Sequence, residues 1–381
     1  MNVNKTILEY INGKNEKEFD PYYIYNVQTI KDQCQTFRNI SYKNKSIHFA
    51  SMANVNPHFL KIVKNEKVNI FVNSILHLNS AMEVGFHGQD IIFTSSALSV
   101  KTMKYIGNLD IQLNVDSPNQ LKQWQQLFPG KAIGIRCNIG DNVKPYSTHA
   151  GFFIGKDSRL GFTREEIRQI ADKSKIKGLH LYVGTDIFDI DYFINSYKEL
   201  IDIAGDFPEL EYLNFGGGFG VSENGGKHFN ISEYNTKVTN LMNQVSEEKG
   251  KSIKLILEPG RIIGGMAGYF VCQVTDVKPR ENKQLIGVNA STVQFSRPLL
   301  YPEIARHPIS IIRNGGPYIS GKKMPTTIFG CSTYSRDIFS NNAELPVLNI
   351  GDIIVFGNAG SYSASSHMQF LGFPKPEEFY L

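Results

Sequence analysis

The sequence predicts an α/β protein, with a (β/α)8 barrel followed by a domain built of β-strands. Between about residue 45 and residue 260, eight short β-rich runs alternate with amphipathic helical stretches. Most of these runs are continuously apolar, as in parallel strands that are covered on both faces. After residue 265 helical periodicity fades, and Gly, Pro and Asn separate short apolar runs. An open doubly wound sheet is the alternative for the first part, and the count of eight units favours the barrel.

The predicted elements of the barrel follow one another in chain order. Its strands are residues 47–50, 68–73, 90–94, 109–115, 131–138, 178–183, 210–215 and 253–257. The helical patterns between them include residues 57–64, 99–106, 119–127, 164–173 and 192–204. The later β-rich runs are residues 268–278, 285–289, 309–313, 347–350 and 352–356, and the strand-like residues 22–25 can join them. We therefore predict a barrel over residues 31–265 and a β domain made of residues 1–30 and 266–381.

Composition limits the classes of partner. The chain has 40 basic and 36 acidic residues, a net charge of +4 that is dispersed along the sequence. Nucleic-acid binding usually needs a clustered basic stripe, so we expect no nucleic-acid partner. The longest apolar stretch, residues 262–274, contains three glycines and is too short to span a membrane. The four cysteines are far apart and form no CxxC pair, so we expect neither a metal site nor disulfides in a cytoplasmic protein.

Two motifs follow the last two predicted strands of the barrel, where the active sites of such barrels lie. Gly216, Gly217 and Gly218 come after the seventh strand, and their amides can approach a phosphate closely. Glu258 and Arg261 follow the eighth strand; the carboxylate can keep a pyridine nitrogen protonated, and the guanidinium can pair with phosphate. A flexible turn and a surface salt bridge are the alternative explanations. Together the motifs favour a phosphate site.

Six segments carry a resemblance to a known family, and they follow one another along the chain in the order that the family has. They are GLHLYVGT at 178–185, GGG at 216–218, EPGR at 258–261, RPLLY at 297–301, LP at 345–346 followed by GD at 351–352, and GSY at 360–362. The chain resembles the fold-type III pyridoxal-phosphate decarboxylases, the group that holds ornithine, arginine and diaminopimelate decarboxylases. The resemblance implies an alanine racemase-like TIM barrel and a C-terminal β domain that includes the N-terminal strand. It also implies a homodimer with sites at the subunit interface.

The resemblance assigns roles to particular residues. The phosphate of pyridoxal 5'-phosphate is expected at Gly216, Gly217, Gly218, Thr185, Arg261 and Tyr362. Glu258 is expected to face the pyridine nitrogen, and Tyr182 to lie against the ring face. Arg297, Tyr301 and Asp337 are the candidate contacts for an amino-acid substrate, while Thr333 occupies the position of the family's catalytic cysteine. An ion pair for Arg297 and a helix cap for Asp337 are the structural alternatives.

The most consequential departure from the family is Met52. The family carries its Schiff-base lysine in a segment like YAVKANxNP, and the corresponding segment here, residues 48–57, reads HFASMANVNP. A thioether can neither bond a carbonyl carbon covalently nor move a proton. The resemblance therefore implies that the cofactor, if bound, is held non-covalently. Phe71 and His77 also depart from the family, since acids are common at both positions.

These departures leave several hypotheses open. The first is a decarboxylase-family protein, of a specialised or amino-acid pathway, whose α-decarboxylation of an amino acid is altered or lost. The second is a catalytically inactive homologue that acts as a regulatory or scaffold partner. The third is an enzyme of different chemistry that uses a phosphorylated ligand in the same pocket. An engineered Lys-to-Met change is a further explanation of Met52, but the departures at Phe71, His77 and Thr333 favour natural divergence.

Overall fold

The computed structural model describes residues 3–14, 18–222 and 227–381, which form two compact units. One unit comprises residues 31–220 and 228–262; the other comprises residues 1–30, 221–227 and 263–381. Residues 1–2, 15–17 and 223–226 of the predicted domains lie outside the described residues. No described helix is both long enough and apolar enough to cross a membrane.

Eight parallel strands close into a barrel in the first unit. Each strand pairs with the next along the chain, and the last pairs with the first. The strands are β2 (Lys45–Ala50), β3 (Asn69–Val72), β4 (Ile91–Thr94), β5 (Gln112–Val115), β6 (Ile133–Arg136), β7 (Ile176–His180), β8 (Tyr212–Asn214) and β9 (Lys254–Leu257). The predicted barrel is confirmed, and the open sheet is excluded.

Among the described residues, seven helices connect these strands: α3 (Pro57–Asn65), α4 (Ile75–Glu83), α5 (Val100–Gly107), α6 (Pro118–Leu127), α7 (Arg164–Arg168), α8 (Ile190–Ala204) and α9 (Ile231–Glu248). Each begins after a Ser, Thr, Asn or Asp whose side chain accepts a hydrogen bond from an amide of the first turn. Helix α7 ends five residues earlier than the pattern predicts. Downstream, Asp172 Oδ1 accepts a hydrogen bond from the amide of Ser174 at 2.9 Å, a local turn that competes with the helix.

A polar and aromatic centre fills the barrel. The hydroxyl of Tyr212 donates to Asn114 Oδ1 at 2.8 Å, and Asn114 Nδ2 donates to Thr94 Oγ1 at 3.0 Å. A Cβ added to Gly178 would overlap the ring of Tyr212, and one added to Gly134 would overlap its hydroxyl. The two glycines on neighbouring strands therefore make the space that this ring occupies.

The described part of the second unit is built on a nine-stranded sheet. Its strands are β1 (Tyr22–Tyr25), β10 (Gly268–Arg280), β11 (Lys283–Val288), β12 (Ile309–Arg313), β13 (Gly316–Pro317), β14 (Lys323–Phe329), β15 (Ile338–Pro346), β16 (Ile353–Phe356) and β17 (Glu377–Tyr380). Strand β1 pairs antiparallel with β10 and parallel with β17.

The second unit also contains the helices α1 (Lys5–Gly13) and α11 (Arg297–Leu300). The helices α2 (Val27–Arg38) and α10 (Arg261–Gly264) contain residues of both units.

The apolar run at residues 347–350 was predicted as a strand, and this prediction is wrong. Strand β15 ends at Pro346, and the following residues form a turn in which Asp352 Oδ2 accepts a hydrogen bond from the amide of Asn349 at 2.8 Å. Gly351 has φ +92°, a left-handed conformation that terminates an extended chain. Ile350 is exposed, so the apolar run marks no core strand.

Candidate functional site

A buried carboxylate lies directly after β9. Glu258 is 4% exposed, and its Oε2 atom lies 3.2 Å from Nε2 of His180, which is 1% exposed. Its Oε1 atom accepts a hydrogen bond from Asn214 Nδ2 at 2.6 Å, and Asn214 Oδ1 in turn accepts from the amide of Gly216 at 2.9 Å. An ionised carboxylate only accepts, so this contact assigns the proton to Nε2 of His180. The network fixes the orientation of Glu258.

The glycine segment 216–218 lies against two neighbouring strand ends. A Cβ added to Gly217 would overlap the carbonyl oxygen of Glu258, and one added to Gly218 would overlap that of Gly184. Gly218 also has φ +101°. Within the described ranges, the amides of Gly217 and Gly218 donate to no protein acceptor. Two adjacent N–H groups of this kind can bind an anion.

Arg261, the predicted phosphate ligand, makes an ion pair within the barrel unit. Its side chain is 5% exposed, and its Nη1 atom contacts Oδ1 of Asp186, whose side chain is 23% exposed. Asp186 has φ +55° and directly follows Thr185. The guanidinium therefore already has an anionic partner from the chain itself.

A second, partly buried cation, Arg136, ends β6. The side chain is 13% exposed; Nε lies 4.0 Å from Asp116 Oδ1, and Nη2 has no hydrogen-bond partner among the described residues. Asp116 accepts hydrogen bonds from Ser96 Oγ at 2.6 Å and from the amide of Gly161 at 3.0 Å. Burial lowers the pKa of Arg136, and the charges of Asp116 and Glu258 partly oppose that shift. Arg136 thus supplies positive charge near the carboxylate of Glu258.

Met52 lies just after β2, the neighbour of β9 in the barrel. It packs against an apolar cluster of the barrel core that includes Phe71 and Tyr212. Ser51 Oγ lies 3.9 Å from Met52 Sδ and 2.9 Å from His77 Nδ1, and burial lowers the pKa of His77. A thioether, a hydroxyl and an imidazole therefore meet at this strand end.

The loop after β7 carries two more predicted cofactor residues. Tyr182 is half-buried, and its ring makes an edge contact with Phe153 at a centroid distance of 4.9 Å. Thr185 is half-buried between Gly184, with φ +150°, and Asp186. The barrel thus brings Tyr182, Thr185, the glycine segment, Glu258 and Arg261 to the carboxyl ends of β7, β8 and β9.

The remaining predicted site residues belong to the second unit. The Arg297 guanidinium carbon lies 5.6 Å from the ring centroid of Tyr301, and the Arg297 side chain is buried. Thr333 is exposed, and Tyr362 has φ +52°.

Asp337 is 2% exposed, and its two carboxylate oxygens accept five hydrogen bonds within the second unit. The donors are the hydroxyls of Ser291, Thr292 and Ser332 and the amides of Thr292 and Ser332. This arrangement fixes the loop that carries Thr333.

Sequence reasoning gave no role to His180, Asn214, Arg136 or Asp186. The first three share one signal, because each is the last residue of an otherwise mainly apolar barrel strand. The predicted strands extend two or more residues beyond Arg136 and His180. We therefore expected the site residues at the positions that follow these longer strands. Asp186 carries no such signal, since its role depends on a partner 75 residues away.

Comparison with known proteins agrees with this geometry. The family "Pyridoxal-dependent decarboxylase, pyridoxal binding domain" matches residues 27–265. The chain is 27% identical over 375 residues to the diaminopimelate decarboxylase of Methanothermobacter thermautotrophicus, covering 94% of this chain and 86% of the relative. It is 28% identical to a diaminopimelate decarboxylase of Helicobacter pylori, covering 93% and 88%.

Solved structures share the fold. A diaminopimelate decarboxylase from Helicobacter pylori complexed with L-lysine superposes with a TM-score of 0.86 at 24% identity, covering 98% of this chain and 94% of that one. The arginine decarboxylase of Paramecium bursaria Chlorella virus superposes with a TM-score of 0.84 at 18% identity, covering 98% and 100%. Because the family match spans well over half of the chain, this protein belongs to the pyridoxal-dependent decarboxylase family.

Proposed function

We propose that this chain binds pyridoxal 5'-phosphate non-covalently, and that its α-decarboxylation of an amino acid is altered or lost because Met52 stands at the position of the Schiff-base lysine. One observation supports this combination. The barrel retains a buried, oriented carboxylate at Glu258 and two donor amides at Gly217 and Gly218, whereas the side chain of Met52 has no amine. The groups that would recognise the cofactor are therefore present without the group that would bond it.

The residues present fit the cofactor. Glu258 would hold the pyridine nitrogen, and the amides of Gly217 and Gly218 with the hydroxyl of Thr185 would hold the phosphate. Tyr182 would cover a face of the ring. The cofactor, when bound, supplies an electron sink for the carbanion left by loss of a carboxylate.

The chain's own contribution at the ring is to hold Glu258 in a fixed orientation. His180 and Asn214 each form a hydrogen bond with a different oxygen of this carboxylate. The ring of Phe71 stacks on His180, with centroids 6.4 Å apart and an interplanar angle of 14°. This contact packs one face of the imidazole beside the ring of Phe71.

We also propose, by analogy with the family, a homodimer with sites at the subunit interface and a cytoplasmic location. The substrate would be an amino acid, with Arg297 and Tyr301 among its contacts and Tyr362 near the cofactor phosphate. The similarity to diaminopimelate decarboxylases favours a substrate with a second polar end. For Asp337, the five donors on its carboxylate support a positioning role for the loop of Thr333 rather than a direct substrate contact.

A catalytically inactive partner of an active relative is the second candidate function. The packing of Met52 against the apolar cluster that includes Phe71 favours it, because apolar contacts stabilise the fold but supply no catalytic group. Copurification with a catalytic relative, together with no turnover of any amino acid, would support this function.

The proposal is tested by native mass spectrometry and absorption spectroscopy of the full chain with added pyridoxal 5'-phosphate. We expect one cofactor per site, lost on dialysis, and no mass adduct after borohydride reduction. Met52→Lys should give the adduct, and Met52→Leu, the matched apolar control, should not. A borohydride adduct on the unaltered chain would contradict the proposal. So would a failure of both the unaltered chain and Met52→Lys to bind the cofactor.

A further inference from the structure

The ion pair between Arg261 and Asp186 bears on which ligands the barrel accepts. Arg261 is the cation that the family resemblance assigns to the cofactor phosphate, and here its Nη1 atom contacts the carboxylate of Asp186. Both groups are largely withdrawn from water, at 5% and 23% exposure. In such surroundings charge interactions are less screened than at an open surface.

Backbone contacts place Asp186 beside the glycine segment. The next residue, Ile187, donates its amide hydrogen to the carbonyl oxygen of Gly218 at 2.9 Å and accepts from the amide of Gly220 at 3.0 Å. Gly184 lies two residues before Asp186, and its carbonyl oxygen occupies the position that a side chain on Gly218 would take. The chain on both sides of Asp186 therefore lies against Gly218, whose amide is one of the two available donors.

A phosphate monoester entering this cradle would meet a carboxylate as well as a cation. Its two negative charges would compete with Asp186 for the guanidinium of Arg261 and would repel the Asp186 carboxylate. A ligand with the same ring and no phosphate meets neither penalty. We propose, on the basis of the cofactor site proposed above, that Asp186 determines ligand specificity by weakening binding of the phosphate group. Pyridoxal 5'-phosphate then gains little over pyridoxal, and the cofactor is held reversibly.

Asp186→Asn is the informative variant. It removes the charge, keeps the size, and places at φ +55° a residue type that tolerates the left-handed conformation. Asp189→Asn is the matched control. Asp189 is exposed three residues further on and caps α8 by accepting the amide hydrogen of Tyr192 at 3.1 Å, a role that Asn fills equally well.

Dissociation constants of pyridoxal 5'-phosphate, pyridoxal and inorganic phosphate are measured on the three full-length proteins by fluorescence quenching and calorimetry. For the unaltered chain we expect the first two constants to agree within about threefold. Asp186→Asn should bind pyridoxal 5'-phosphate and inorganic phosphate at least about tenfold more tightly, with pyridoxal unchanged. Asp189→Asn should change none of the three.

The outcomes separate this inference from the cofactor proposal. Equal or weaker binding of inorganic phosphate to Asp186→Asn overturns the inference, whatever the ring ligands do. Tighter phosphate binding, without binding of either ring ligand to any of the proteins, supports the inference and contradicts the cofactor proposal. Thermal unfolding with and without phosphate gives a second measurement. Phosphate should raise the Tm of Asp186→Asn more than that of the unaltered chain, and an equal rise would count against the inference.

Discussion

The imidazole of His180 and the carboxylate of Glu258 face each other inside the barrel, with Nε2 and Oε2 3.2 Å apart. Strand β7 ends at His180, and Glu258 follows β9, with β8 between these strands. Asn214, at the end of β8, holds the other carboxylate oxygen. Three consecutive strands thus converge on one buried acid.

Glu258→Gln should weaken binding of pyridoxal 5'-phosphate at least about tenfold, because an amide does not hold a protonated pyridine nitrogen as a carboxylate does. Glu209→Gln is the control, since Glu209 is exposed and pairs with Lys177 on the surface. Fluorescence titration of the cofactor measures the effect. Unchanged affinity in Glu258→Gln would show that this carboxylate does not contact the ligand.

His48 should make the stability depend on pH. Burial lowers the pKa of His48 from 6.5 to about 4, with Nε2 at 2.6 Å from Ser46 Oγ. The unfolded chain therefore binds more protons than the folded chain between these values. The contribution of the neutral His48 to the free energy of unfolding, up to about 3 kcal/mol, is fully present above about pH 6.5. It is lost as the pH falls towards 4.

Urea unfolding of the unaltered chain and of His48→Gln, at pH 7.5 and at pH 5, measures the contribution of His48. The difference in unfolding free energy between the unaltered chain and His48→Gln should be smaller at pH 5 than at pH 7.5, because Gln does not titrate. The same comparison with His58→Gln, at an exposed position, is the matched control for a change from His to Gln. An identical pH dependence for the unaltered chain and His48→Gln would contradict the buried neutral histidine.

Asp337→Asn should destabilise the second unit by about 2–3 kcal/mol, because hydrogen bonds to a charged acceptor are lost and the new NH2 group faces donors. The amides of Thr292 and Ser332 donate to the two carboxylate oxygens at 2.6 Å and 3.1 Å. Thermal unfolding without ligand measures the loss. Asp206→Asn, at an exposed position, is the control. Full stability of Asp337→Asn would return Asp337 to the candidate substrate contacts.

Gly178→Ala should destabilise the barrel by about 3 kcal/mol, because the added Cβ would overlap the ring of Tyr212. Tyr212→Leu should relieve this overlap, so the double variant should lose less stability than the sum of the single losses. Gly13→Ala is the control, since a Cβ there meets no atom within 4 Å. Additive losses in urea unfolding would contradict a direct overlap.

The sequence by itself determined the barrel, the β domain and the positions of the glycine segment and of Glu258 and Arg261 after the last two barrel strands. Apolar runs at strand length and glycines at strand ends are local features, and each can be found without knowing its neighbours. The spacing of Met52 from Asn54 and Pro57 is likewise a local feature, and its assignment to the lysine position of the family stays a prediction.

Only the tertiary structure decided which charges meet. The pairing of Arg261 with Asp186 and of Glu258 with His180 joins residues 75 and 78 positions apart. These distances depend on where the strands end in the closed barrel, and the predicted strands were too long by two or more residues at Arg136 and His180. Hydrogen bonds and ion pairs require atoms within about 4 Å, and two residues along a strand span about 6–7 Å, so errors of this size change which side chains are expected to meet.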